Sequence, residues 1–193
     1  GEEKRRVLHA ICPGGGGQTG QDRSYGMLTG EQKALLATGI IKAEGNMTSG
    51  DARLAVNFPL LLEKGLDGLR HKVDERRSRI NLTRLDDLHG EQFLKAIDTT
   101  LAAVSEHLER FADLARQMAG AETRQARRDE LLTIAENCDV IAHEPPKTFW
   151  QALQLCYFIQ LLLQVESNGH SVSFGRMDQY LYPWYRRDVE LAA

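Results

Sequence analysis

Cysteine is scarce in this sequence, and so is any excess of charge. Three cysteines, Cys12, Cys138 and Cys156, stand among 193 residues. The number is odd and no two have a metal-ligand spacing. That argues against a disulfide framework or a zinc site and for a reducing, cytoplasmic compartment. The formal net charge is -3, from 24 Lys and Arg against 27 Asp and Glu. No field of one sign is available to hold a polyanion, so nucleic acid is not the expected partner. The basic pairs Arg76-Arg77 and Arg127-Arg128 sit among acids and read as solvated helix faces.

A targeting segment is missing too. "GEEKRRVLHAICP" at the start has charges but no apolar core ahead of a small-residue cleavage site. The longest apolar run, "FWQALQLCYFIQLLLQV" at 149–165, is interrupted by Gln151, Gln154, Gln160 and Gln164. It is shorter than the roughly 20 apolar residues a membrane span needs, and is expected to be a core helix. The glycine run "PGGGGQTGQ" at 13–21 is not followed by the lysine of a phosphate-binding loop. Four consecutive glycines lose too much backbone entropy to form helix or strand, so residues 1–30 read as a flexible arm or linker and 31–193 as one domain. No His-Glu-x-x-His occurs, and His71, His89, His107 and His143 fit no ligand geometry, so no metal is expected. His107 falls on the polar side of its helix and reads as solvated.

What is present is mainly helical. "EQKALLATGII" predicts a short helix ending at Gly39, followed by loop. "PLLLEKGLDGLRHKVDERRSR" predicts a helix from Pro59, whose missing N–H costs nothing in the first turn, to about Ser78. Its internal Gly65 and Gly68 suit close packing against a neighbour. The clearest period spans 91–118, where Phe93, Ile97, Leu101, Val104, Leu108, Phe111, Ala115 and Met118 recur by threes and fours along one face. A further helix covers "TRQARRDELLTIAENCDVIA". After the break "HEPPKT", Thr148 with Gln151 resembles a capping box opening the apolar helix, which runs to about Glu166. The expected strand content is one or two short pieces near 171–174, "SVSF". The chain is thus mainly α. A helical interaction protein, binding through the 91–118 stripe, is a reading that this pattern also permits.

The apolar helix ends in an unusually polar stretch, and there the sequence resembles a known family. "TFWQALQLCYFIQLLLQVESNGHSVSFGRMDQYLYPWY", residues 148–185, is similar to a segment of the glycyl radical enzymes of the pyruvate formate-lyase-like branch, which includes the B12-independent glycerol and diol dehydratases. The order of Thr-Phe-x-x-Ala-Leu-Gln, Glu-Ser-Asn-Gly-His-Ser, Gly-Arg-x-Asp-Gln-Tyr and Tyr-Pro carries the resemblance. "NFPLLLEKGLDGLR" at 57–70 and "RRDELLTIAENCDVIAHEPPKTF" support it upstream. The resemblance implies the helical portion of an α/β barrel, cut from the N-terminal part of a longer enzyme. It also implies that the parent carries a glycyl radical installed by a radical SAM activating enzyme, works as a homodimer and acts on a small-molecule substrate. The family's Gly-Cys-x-Glu thiyl motif and its C-terminal radical loop do not occur in this sequence, so the chain alone is expected to be inactive. Radical elimination of the dehydratase kind is the expected parent chemistry, with carbon–carbon cleavage of the formate acetyltransferase kind as the alternative.

By the same resemblance, the Gly-His-Ser pair maps to His170 and Ser171, which would hydrogen-bond substrate hydroxyls. An imidazole beside a hydroxyl can meet both the donors and the acceptors of a polyol. Where family dehydratases carry a second substrate-reaching Gly-His, this sequence has Ala52-Arg53. Arg53 in that position favours a carboxylate or phosphate on the substrate. Arg176 and Asp178 are expected to organise the loop through an internal ion pair or cap, and Tyr180, Tyr182 and Trp184 to pack.

Overall fold

The structure is a computed structural model, and it describes residues 20–40, 55–167 and 172–191. The chain divides into two compact units, Gly1–Ala55 with Leu161–Ser173, and Val56–Gln160 with Phe174–Ala193. In the first unit lie α1 (Gly20–Gly26) and α2 (Gly30–Ala37). Thr29 and Gln32 close a reciprocal capping box on α2, the Thr29 hydroxyl accepting from the Gln32 N–H at 3.2 Å and the Gln32 side chain from the Thr29 N–H at 2.8 Å. The helix stops where the sequence expects, with Gly39 at φ 72°. Among the described residues no strand forms. The extended pairing among them is a single parallel bridge between Ala55 and Ser173, the latter within "SVSF".

The second unit holds the core. Helix α3 (Phe58–Arg77) is capped by Asn57, whose side-chain oxygen accepts from the Leu60 N–H at 3.2 Å, and Pro59 occupies its first turn. It buries Phe58, Leu61, Leu62, Leu66 and Val73. At Gly65 it kinks, with φ 65° and ψ 178°. A Cβ there would lie 2.5 Å from the carbonyl carbon of Glu144, so this glycine makes the close approach expected of it. Gly68 does not: a Cβ would meet only Lys64 of the same helix.

Helix α4 (Leu85–Ala121) is 37 residues long and packs most extensively on α5 (Gln125–Ile141). The expected stripe is only partly the buried one. Ser105, Leu108, Ala112, Ala115 and Ala119 are buried, whereas Phe93 is 67% and Met118 47% exposed. Length explains the exposure of Phe93. At 1.5 Å per residue α4 is about 55 Å long and α5 about 25 Å, so α5 cannot cover the first half of its neighbour. That half is held to α3 by charge instead, through Arg70–Asp98 at 2.8 Å and Arg77–Glu91 at 2.6 Å. Where the two helices do meet, alanines form the contact and let the backbones close. The turn between them is organised by Glu122, whose carboxylate accepts from the Thr123 and Arg124 N–H groups at 3.0 Å. Arg124, through its side chain and then its backbone, pulls that carboxyl down to about 2.

His107 is not the solvated residue the helical wheel suggested. Its ring packs edge-on against Phe111 (5.0 Å between centroids) and Phe158 (6.3 Å), and its Nε2 is buried without a hydrogen-bond partner among the described residues. It borders the apolar face one turn from Phe111, where an imidazole body packs as an aromatic.

Helix α6 (Phe149–Ser167) follows Pro145-Pro146 as expected. The Thr148 hydroxyl accepts from the Gln151 N–H at 3.2 Å. The Gln151 carbonyl reaches one residue further back than a capping box requires, accepting from the Lys147 N–H at 2.7 Å, while its amide donates to Asn137 at 3.2 Å. Gln151, Ala152, Leu155, Cys156, Phe158 and Gln160 are buried. None of the described helices is long and apolar enough to cross a membrane. Two short helices, α7 (Met177–Tyr180) and α8 (Tyr182–Tyr185), and a π-helical turn at Arg186–Glu190 complete the unit.

Candidate functional site

His170, Ser171 and Arg53 lie outside the described residues. What the structure describes is the frame on either side of them. Ala55 stands two residues after Arg53 and Ser173 two residues after Ser171, and these two join in the parallel bridge. The chain then turns at Gly175, where φ is 68°. Phe58, at the start of α3, stacks on Tyr180 (5.2 Å) and on Phe174 (6.0 Å), and the Tyr180 hydroxyl donates to the Phe174 carbonyl at 2.8 Å. Burial pushes the Tyr180 phenol up to about 12, so it stays a hydrogen-bond donor at neutral pH. Phe174 is thereby fixed twice, by ring stacking and by its own carbonyl.

The start of α6 is tied down equally well. Asp188 accepts from the Phe149 N–H at 2.6 Å and pairs with Arg187, and these two contacts, the Arg187 one first, hold its carboxyl below the usual range. The Trp184 indole donates to the Pro146 carbonyl at 3.1 Å, and Arg187 reaches the Lys147 carbonyl. Tyr180 and Trp184 thus pack and anchor as expected. Arg176 and Asp178 are both exposed, and the Arg176 side chain does not cap α7. Part of the loop they were expected to organise lies outside the described residues.

Two recesses border this frame. One, of about 380 Å³, is lined by Trp150, Leu153, Gln154, Tyr157, Phe174 and Met177. The other, of about 330 Å³, is lined by Phe149, Met177, Asp178, Leu181, Tyr182 and Tyr185. Neither brings several polar groups together, as a hydroxylated ligand would require. Among the described residues no cluster of three or more His, Cys, Asp and Glu is placed to hold a metal ion. The buried thiols are poor nucleophiles: burial pushes Cys138 up to about 11 and Cys156 up to about 12.

One polar junction escaped the sequence reading. His143 places Nε2 2.8 Å from Glu109 and Nδ1 3.2 Å from Asp67, and its carbonyl accepts from the Asp67 N–H at 3.0 Å. It links α3, α4 and the turn before α6. Its partners lie 34 and 76 residues away, so no local spacing could have announced it.

The chain matches the family described as "Pyruvate formate lyase-like" over residues 1–192. It is 81% identical over 190 residues to "Probable dehydratase YbiW" of Escherichia coli, covering 98% of this chain and 24% of that protein. With the (2S)-3-sulfopropanediol dehydratase of Klebsiella oxytoca it shares 36% identity, across 98% of this chain and 23% of the other. Among solved structures, the glycerol-bound B12-independent glycerol dehydratase from Clostridium butyricum superposes with a TM-score of 0.82 at 27% identity, over 98% of this chain and 24% of that one. A structure of 1,2-propanediol dehydration in Roseburia inulinivorans gives the same TM-score at 33% identity, over 99% and 24%. The chain therefore spans about a quarter of the length of the relatives it matches.

Proposed function

The chain belongs to the pyruvate formate lyase-like family, and from that premise we propose that it is the N-terminal portion of a glycyl radical dehydratase acting on a small hydroxylated substrate by radical elimination. The observation that carries this reading is the 81% identity to a protein named as a dehydratase. The likeness to solved glycerol and propanediol dehydratases supports it. The radical chemistry belongs to the rest of the polypeptide, since no Gly-Cys-x-Glu occurs here. A radical SAM activating enzyme and a second copy of the parent are the expected partners.

This portion would bind and orient. His170 and Ser171 would hold two substrate hydroxyls, and positioning matters because the radical must meet one particular C–H bond. The bridge at Ser173, the stack at Phe174 and the turn at Gly175 fix the chain just after them. Arg53 would add a cation on the partner side of that bridge. A fork of guanidinium donors suits an oxyanion, which makes a hydroxylated substrate with an anionic substituent the favoured class. A relative named for 3-sulfopropanediol is consistent with that choice.

The test is an anaerobic assay of the full-length protein with its activating enzyme on neutral polyols and on their carboxylated and sulfonated counterparts. Aldehyde or ketone formed with loss of water, fastest from an anionic substrate, is the expected result. Acyl transfer to a thiol with release of formate, when a 2-oxo acid and a thiol are supplied in place of the polyols, would instead place the protein with the carbon–carbon cleaving members.

A further inference from the structure

Helix α6 is mostly apolar and, up to Val165, uncharged on every side. From Phe149 to Val165 it carries no charged residue, and a helix of that kind belongs in an interior. One side meets that expectation, with Ala152, Leu155, Cys156 and Phe158 buried. The other does not. Trp150 is 70% and Tyr157 59% exposed, and together with Leu153, Gln154, Phe174 and Met177 they surround the recess of about 380 Å³.

A substrate is a poor occupant of this recess. Its polar groups, the Gln154 amide and the Trp150 and Tyr157 heads, are too few to satisfy several hydroxyls, and the Gln154 amide is engaged with the Cys138 sulfur at 3.0 Å. A separable partner is also a poor one. Interfaces between independently folded chains have a polar, charged rim, and seventeen residues of α6 supply no charge for it. The exposed leucines at the start of α4 differ in this respect, since Leu82, Leu85 and Leu88 are interleaved with Arg84, Asp86, Asp87 and His89.

We propose that the Trp150–Tyr157 face of α6, with Phe174 and Met177, is an internal packing surface closed by an apolar segment of the parent polypeptide that lies outside this chain. The inference rests on the reading of the chain as a portion of a longer enzyme: relatives are about four times as long, and this chain covers 24% of them. The covering segment carries large aliphatic or aromatic side chains rather than charges, because each polar group brought against Trp150, Leu153 and Met177 would lose its water without gaining a partner.

Oxidative footprinting of the unsubstituted full-length protein reads this face directly, since Trp, Tyr and Met are the side chains that hydroxyl radicals modify most readily. Trp150, Tyr157 and Met177 are expected to oxidise at least about tenfold more slowly in the native protein than in the denatured one. That protection should persist on dilution through any dimer dissociation and should not depend on the activating enzyme. Native oxidation near the denatured rate would overturn the proposal. Protection that vanished on dilution would assign the face to a second copy, and protection that required the activating enzyme would assign it to that protein; either result overturns the proposal as well. Tyr157→Lys gives an independent check, lowering the unfolding midpoint if the face is internal and leaving it unchanged if the face is open. Protection without any dehydratase activity would leave this packing assignment standing while removing the functional one.

Discussion

Gly65 and Glu144 are in backbone contact: a Cβ added at Gly65 would lie 2.5 Å from the Glu144 carbonyl carbon and 2.6 Å from the Pro145 nitrogen. Backbone atoms cannot swing aside as a side-chain tip can, and the positive φ of 65° adds strain for any L-residue. Gly65→Ala in the full-length protein is therefore expected to cost about 2–4 kcal/mol. The denaturant midpoint of the transition that unfolds α3 measures it. Gly68→Ala is the internal comparison: a Cβ there would meet only the Lys64 Cβ, at 3.2 Å and off the backbone, so the change should stay within about 1 kcal/mol of neutral. Equal effects at the two positions would show that the kink is not the cause.

The His143 junction is expected to contribute little for its number of contacts. His143, Asp67 and Glu109 are all close to half exposed, at 44%, 45% and 49%. Water screens such pairs, and double-mutant cycles between His143→Ala and Glu109→Gln, or His143→Ala and Asp67→Asn, should return couplings of about 0.2–1 kcal/mol each. A coupling well above about 2 kcal/mol would mean that the junction is shielded from solvent in the parent.

Much of this fold could be read from residues a few positions apart. Pro59, and Thr148 after two prolines, each announced a helix start, because a first turn is specified by groups two or three residues apart. The failures share the opposite character. Which turns of α4 are covered depends on the length of α5, and the His107 ring is packed against Phe158 from another helix. His143 finds Asp67 across 76 residues. The proposed substrate residues were legible only through the order of the Gly-His-Ser and Gly-Arg-x-Asp-Gln-Tyr motifs. No period or spacing distinguishes a histidine that meets substrate from one that meets solvent.

The buried thiols give a pH dependence with a definite sign. Burial pushes Cys138 up to about 11 and Cys156 up to about 12, against 9.0 for an ordinary thiol. The folded chain keeps these protons as the unfolded chain begins to lose them. The unfolded state then binds fewer protons, and stability falls as pH rises from about 9 towards 11 and above, with no contribution below that window. Cys138→Ala and Cys156→Ala should flatten the alkaline limb of a stability–pH profile. At neutral pH both thiols should resist a disulfide reagent until the protein unfolds. Rapid labelling of either thiol in the native protein would contradict its burial.

Because neither the family's C-terminal radical loop nor its Gly-Cys-x-Glu occurs in the sequence, the 193-residue chain treated anaerobically with the parent's activating enzyme should give no glycyl doublet in electron paramagnetic resonance and no turnover. A strong doublet would mean that one of its 17 glycines holds the radical.

His170→Ala and Ser171→Ala in the activated full-length enzyme separate substrate binding from radical storage. On the proposed reading each removes one polar contact to substrate, and a loss of about 1.4 kcal/mol in the transition state corresponds to a roughly tenfold fall in turnover. Turnover of the preferred hydroxylated substrate should therefore drop about tenfold or more in each variant, while the glycyl doublet keeps its amplitude. Turnover and apparent substrate affinity unchanged in both variants would contradict a substrate role for this loop, and with it the part assigned to this chain in the dehydratase.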